Sequence, residues 1–238
     1  VTKILTVVAS VASAGLAQGA EPAYPIRSIR LVVPTAPGGA VDALARIISP
    51  RLSDAMGQQW VVDNRGGATG NLAAELVARA RPDGYTVLIA FSSQLTVNPS
   101  LYKLPFSVEK DLQPVTMLAM TEQILVVHPS VQAKTLEDLV ALSKQKAGAL
   151  NFGSAGVGTV NHLAGELLKK RAGIDMVHVP YKGSGPAVID LIGGHVQLMF
   201  GATSTVMPYV RANKLRAIAV SSKARVAAVA EVPTVAES

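Results

Sequence analysis

The feature that most constrains this chain is a strand–turn–helix unit, used repeatedly, whose turn is built from small residues. Its fullest instance lies at residues 151–166. Leu150 and Phe152 run into Gly153, Ser154, Ala155, Gly156 and Gly158. Val160, Leu163, Ala164, Leu167 and Leu168 then recur at helical spacing. Glycines let such a turn tighten and expose amide N–H groups that the first helical turn cannot satisfy internally. With the Ser154 and Thr159 hydroxyls beside them and the positive end of the helix dipole behind, these amides can hold a carboxylate or phosphate without a basic side chain. The same turn can equally serve only to reverse the chain. Its spacing is neither GxxxxGK[ST] nor GxGxxG, because Asn161 stands where the third glycine belongs, which argues against a nucleotide.

The unit recurs upstream. Residues 29–33 read as a strand that ends in Pro34, Thr35, Ala36, Pro37, Gly38 and Gly39. A helix follows with Val41, Leu44, Ala45, Ile48 and Leu52 on one face, and Asp42 and Arg46 lie opposite, four apart. Residues 60–64 form a second strand, residues 65–70 its Gly-rich turn, and Leu72, Ala73, Leu76 and Val77 the helix. A third strand at residues 85–90 ends at Phe91, Ser92 and Ser93. Ligands of open α/β sheets sit outside the carboxyl ends of the strands, so one site fed by all three ends is expected.

Periodicity lapses at residues 101–120 around Pro105 and Pro114, which suits a crossing to a second lobe. Beyond it, residues 124–127 are a strand, and Thr135 with Asp138 opens a helix. After the unit at 151–166, residues 176–179 form a short strand and residues 181–185 a turn. Pro186 is placed as the first residue of a helix that Gly193 and Gly194 end. Residues 195–200 alternate as a strand running into Gly201, Ala202, Thr203 and Ser204. Residues 215–220 are the last strand, expected to lead back toward the first lobe.

Composition excludes several classes. With 49% hydrophobic and 16% charged residues the chain is globular, and its Ala, Val and Gly bias suits α/β layers. The formal net charge of +6 comes from scattered residues with no nucleic-acid module, so no nucleic-acid partner is expected. Without cysteine there is no disulfide, thiol nucleophile or thiolate metal site. The four histidines, His128, His162, His178 and His195, form no HxxxH or HExxH pair, so neither a metal nor a cofactor is expected. At residues 1–20, Lys3, an apolar run and a small-residue site read as a secretory signal peptide cut near Gly19 or Ala20. The mature protein is then expected to be exported and monomeric.

Seven stretches, in order, resemble the Bug (TctC-like) family. They are Tyr24-Pro25, residues 33–42, residues 64–70, Pro82-Asp-Gly-Tyr85, Asn98-Pro-Ser-Leu-Tyr102, residues 153–166, and residues 179–186 with residues 190–194. The resemblance implies a two-lobed Venus-flytrap fold and a periplasmic receptor of a tripartite tricarboxylate transporter. Such a receptor takes up a small organic mono- or dicarboxylate and passes it to the membrane components, with no catalysis. The lobes are expected at residues 21–121 and 122–220, with residues 221–238 starting the return to lobe 1. The ligand-gripping loops fall on Thr35, Ala36, Gly38, Gly39 and Asp42, and on Ser154, Gly156, Gly158, Thr159 and His162. Strand-end contacts fall on Ser92, Ser93, Ala202 and Thr203. Two departures stand out. Gly201 occupies a position where many relatives carry an acidic residue, which argues against an amino acid ligand. The chain stops at Ser238 where relatives continue, so a C-terminally truncated first lobe is expected.

Individual residues keep plainer readings beside these. Asp42 either caps its helix or orders the loop amides. His162 is a loop-positioning or surface residue, and His128, His178 and His195 are strand residues satisfied by neighbours. Lys182 and Arg65 are solvated. Two other functional classes remain open: a ligand-sensing subunit for a membrane sensor kinase, and a hydrolase using Ser154 and His162.

Overall fold

In the computed structural model residues 24–145 and 147–238 are described, so the signal peptide expected at residues 1–20 lies outside the described residues. Two sheets organise the chain, each with its own core. The first contains β1 (Ile29–Val33), β2 (Trp60–Asn64) and β3 (Thr86–Leu88), all parallel, in the order β2-β1-β3. β1 is central and buried on both faces, as its unbroken Leu-Val-Val run predicts. Helices α1 (Ala40–Met56) and α2 (Asn71–Ala78) make the crossovers, and α1 stops where Gly57 adopts a left-handed φ of 67°.

Three short helices follow: α3 (Ser92–Thr96), α4 (Asn98–Leu101) and α5 (Val108–Asp111). Residues 112–122 then carry no regular structure, and the chain passes to the second sheet. That sheet contains β4 (Gln123–Val127), β5 (Asn151–Ser154), β6 (Val177–Pro180), β7 (Leu198–Ala202) and β8 (Arg216–Val220), in the order β6-β5-β7-β4-β8. β6, β5 and β7 run parallel, whereas β4 is antiparallel to both β7 and β8. One face is packed by Leu139, Phe152, Leu168 and Leu198, the other by Ala187, Leu191, Met199 and Val206. Helix α6 (Leu136–Gln145) opens as expected: Thr135 Oγ1 accepts from the Asp138 amide, and the Asp138 carboxylate accepts from the Thr135 amide, both at 3.2 Å.

The structure departs from the sequence reading at three places. In α7 (Val160–Ala172) the buried residues are Asn161, Gly165 and Leu168, while Val160, Leu163 and Leu167 are exposed. Phe152 decides this: its ring lies so close to α7 that a Cβ on Gly165 would sit 2.3 Å from it, so the glycine faces the sheet and the leucines turn outward. Second, β7 starts at Leu198 and is buried along its whole length, because it lies between β5 and β4. His195, placed in a strand by its alternation, sits exposed in the preceding turn. Third, α8 (Ser184–Ile192) begins before Pro186, which becomes its third residue. Residues 221–238 pack on the second sheet: Val229 and Val232 join its core, and Thr234 bridges Val220. The last helix, α9 (Thr203–Arg211), leaves from the end of β7.

The contact between α7 and β5 yields a stability test. Gly165→Ala forces a methyl into the Phe152 ring and should lower stability by about 1–3 kcal/mol, read as a lower urea midpoint with an unchanged slope. An unaltered midpoint would show that α7 does not pack on β5 as described.

Candidate functional site

Parallel strands end together. The carboxyl ends of β1, β2 and β3 form one edge of the first sheet, and those of β5, β6 and β7 one edge of the second. The loops leaving these edges meet. The Ala36 amide donates to the Lys182 carbonyl at 2.9 Å, tying the loop after β1 to the turn after β6. Around that bond the chains come to backbone contact. A Cβ on Gly185 would lie 2.5 Å from the Pro37 carbonyl oxygen, and one on Gly183 3.1 Å from Thr35 Cβ. On the other flank, the Tyr102 hydroxyl reaches both Thr69 Oγ1 and the Val157 carbonyl at 3.4 Å.

In the second lobe the turn between β5 and α7 is wired internally. Ser154 is fully buried, and its Oγ accepts from the Gly156 amide at 3.1 Å. Thr159 Oγ1 donates to the Gly156 carbonyl at 2.6 Å, and the Gly158 amide donates to His162 Nδ1 at 3.1 Å. Gly156 and Gly158 hold φ values of 135° and 82°, a region that suits glycine alone. The amides of these two glycines are therefore spent within the turn. Those of Val160 and Asn161, in the first turn of α7, have no acceptor among the described residues. They lie at the positive end of a helix of 13 residues whose last turn carries Lys169, Lys170 and Arg171.

In the first lobe Asp42 orders the loop after β1. Its carboxylate accepts from the Gly38 amide, from Arg46 Nε and from Asn64 Nδ2, each at 3.0 Å. Burial opposes ionisation of Asp42, but these donors outweigh it and hold the carboxyl below its usual range. Asn64 Nδ2 also donates to the Thr35 carbonyl, so β2 and the loop after β1 move as one piece. Ser93 is buried at the start of α3 and Ser92 is exposed beside it. Ala202 and Thr203 sit at the end of β7, at the same sheet edge as Ser154. Thr203 spends both its amide and its hydroxyl on the Glu122 carbonyl, at the entry to β4, rather than facing the other lobe.

The histidines supply what the sequence reading missed. Ser154 Oγ is bonded not to His162 but to His178 Nε2, at 2.6 Å, and the two imidazoles lie 4.1 Å apart beside Phe152. Burial, then the neighbouring His162, pushes His178 down to about 4. Burial also lowers His162, against the opposing pull of Glu166. Four further residues had no role assigned from the sequence: Thr69, Gln94, Asn98 and Asn161. Gln94 donates to the Gly70 carbonyl, and Asn98 to the Thr69 carbonyl and Asn71 Oδ1. These bonds hold a segment in which Ala68 and Thr69 adopt left-handed φ values of 45° and 53°. Asn161 donates to the Phe200 carbonyl at 2.6 Å and locks α7 onto β7. The i, i+4 spacing of Gln94 and Asn98 was the legible clue.

The model of the tripartite tricarboxylate transporter family receptor, TctC, matches residues 44–238. The chain belongs to this family. A Pseudomonas sp. (strain P51) relative, a UPF0065 protein from the tcbD-tcbE intergenic region, is 43% identical over 217 residues, which are 91% of this chain and 64% of that protein. This chain thus spans under two thirds of that relative's length. BugT of Bordetella pertussis is 38% identical, covering 99% of this chain and 74% of its own. Among solved structures, a Rhodopseudomonas palustris protein with adipate aligns with a TM-score of 0.84 at 34% identity, over 90% of this chain and 72% of that one. MatC from the same organism, with bound malate, aligns with a TM-score of 0.85 at 32% identity, over 90% and 73%. As a TctC chain, the protein carries its glycines where the two lobes touch, and two tests follow.

Gly185→Ala places a methyl against the Pro37 carbonyl and should hold the lobes apart without touching either core. X-ray scattering should report a larger radius of gyration at a nearly unchanged melting temperature, and an unchanged radius would contradict the contact. The histidine pair makes stability pH-dependent. A histidine whose folded pKa is lowered favours the folded state fully above its unfolded value of 6.5, and that contribution is lost as pH falls toward about 4. The melting temperature should drop across this window, and His178→Gln should flatten the drop. Parallel curves for the two proteins would remove His178 from the account.

Proposed function

We propose that this chain is the ligand-gripping part of a periplasmic solute-binding protein. It captures a small organic mono- or dicarboxylate for the membrane components of a tripartite transporter and performs no chemistry on it. The observation that carries this reading is the pair of unused amides at Val160 and Asn161, at the positive end of α7, where the second lobe meets the first. An anion there gains hydrogen bonds and the helix dipole together. The solved neighbours with adipate and malate point to the carboxylate class.

On this reading the predicted residues divide by role. Ser154, Gly156, Gly158, Thr159 and His162 shape the turn that presents the amides. Asp42 shapes the opposing loop through Gly38, with Thr35, Ala36 and Gly39 beside it, and Ser92 and Ser93 line the end of β3. Two of the cations near the rim are already engaged: Arg46 pairs with Asp42 and Arg65 with Asp63. Recognition therefore relies on amides and shape more than on a salt bridge. The Ser154–His178 pair does not favour a hydrolytic reading. Ser154 is fully buried with its Oγ held by the Gly156 amide, and among the described residues no carboxylate bonds to the imidazole.

The test is a thermal-shift and calorimetric screen of the chain against carboxylates, amino acids and nucleotides. A carboxylate at 100 times its dissociation constant should stabilise the fold by about 2.7 kcal/mol. Thr159→Val removes the hydroxyl that holds the Gly156 carbonyl and should weaken that binding by about 1–3 kcal/mol. Stabilisation by nucleotides alone, or equal affinity in the variant, would refute the assignment of this turn.

A further inference from the structure

Five buried side-chain polar atoms have no hydrogen-bonding partner among the described residues, and three of them belong to Ser93, Gln94 and Asn98. The clearest case is Asn98, whose surface is 0% exposed. Its orientation is fixed, because Nδ2 donates to the Thr69 carbonyl at 3.0 Å and to Asn71 Oδ1 at 2.6 Å. Exchanging the two ends of the amide would set Oδ1 against two other oxygens. The unpaired Oδ1 therefore faces the opposite way, toward the second lobe. A Cβ built on Gly158 would lie 3.4 Å from it and 2.7 Å from Leu101 Cδ1, so Gly158, which has none, lets Asn98 and Leu101 pack against this turn. Asn98 thus brings a buried acceptor beside the turn that opens α7, two residues from the unused Val160 amide.

A buried carbonyl oxygen needs a donor, and a carboxylate has only acceptors to offer. We propose that Asn98 is a specificity-determining residue that accepts a hydrogen bond from a hydroxyl borne by the ligand close to its carboxylate. The site then selects hydroxycarboxylates over the same acids without the hydroxyl. This inference rests on the carboxylate reading above and adds the second contact point. A hydroxyl suits Asn98 better than an ammonium group. Asn98 is uncharged, and Asp42, the buried acid of the facing loop, is committed to Arg46, Gly38 and Asn64.

Calorimetry on the full chain tests this with acids that differ by one hydroxyl: malate against succinate, and lactate against propionate. At least one hydroxy acid should bind 10-fold or more tightly than its partner, and Asn98→Ala should reduce that ratio below 3-fold while the plain acid keeps its affinity. The wild-type ratio needs no variant to fold, so a ratio near one overturns the proposal while the carboxylate reading stands. A large ratio that survives in Asn98→Ala overturns the role of Asn98. Aspartate binding more tightly than malate overturns the choice of a hydroxyl. If none of these acids binds, the proposal falls together with the carboxylate reading.

Discussion

Everything at the centre of this molecule depends on how closely two backbones can approach. The loops that leave β1 and β6 meet at Gly38, Gly183 and Gly185, and a single methyl at Gly185 would fall 2.5 Å from a carbonyl oxygen. Parallel strands deliver their loops to one edge of a sheet, so two sheets placed edge to edge bring several loops into one small volume. Side chains would hold them apart. Absent side chains allow the Ala36 amide to reach the Lys182 carbonyl, a bond between lobes made entirely of main chain.

The polar groups near this contact are mostly spoken for, and the exceptions define the site. Asp42 is surrounded by three donors, Ser154 by Gly156 and His178, and Thr159 by the Gly156 carbonyl. Each of these bonds fixes a loop rather than presenting a free group. Among what remains are the Val160 and Asn161 amides on the second lobe and Asn98 Oδ1 on the first. Unmatched groups of opposite sense on facing surfaces are complementary to a ligand that both accepts and donates.

Much of the fold was legible because its signals are local. The Val-rich run of β1, the Gly-rich turn after it and the Thr135–Asp138 capping pair each state their structure within a few residues. The misreadings share another cause. Val160, Leu163 and Leu167 have the spacing of a buried stripe, yet the bulk of Phe152 at one point of β5 turned Gly165 inward instead. Residues 195–200 alternate, yet strands on both sides buried the strand that formed and pushed His195 out. In the site, the loops were readable from glycine and hydroxyl content. Pairing Ser154 with His178 was not, because it takes the parallel register of β5 and β6, which sets His178 opposite Phe152, to bring together two residues 24 positions apart. Asn98 stands in the Asn98-Pro-Ser-Leu-Tyr102 stretch, but its burial and its unpaired oxygen depend on the turn at Thr69, which no periodicity announces.

The same contacts set the energetics of closing. Between the lobes, among the described residues, there is one good main-chain hydrogen bond, one long one from Tyr102 to the Val157 carbonyl, and glycine contacts that bury little apolar area. Each neutral hydrogen bond contributes only about 0.5–1.5 kcal/mol net, so closure by the protein alone is nearly balanced. A ligand whose carboxylate bonds to α7 and whose hydroxyl bonds to Asn98 touches both lobes only when they are closed. All of that differential affinity acts on the closing equilibrium, and a few kcal/mol are enough to reverse the populations. A larger apolar seam would have held the lobes shut without ligand and removed this dependence. The glycines therefore serve two ends: they admit the backbone contact, and they keep it weak.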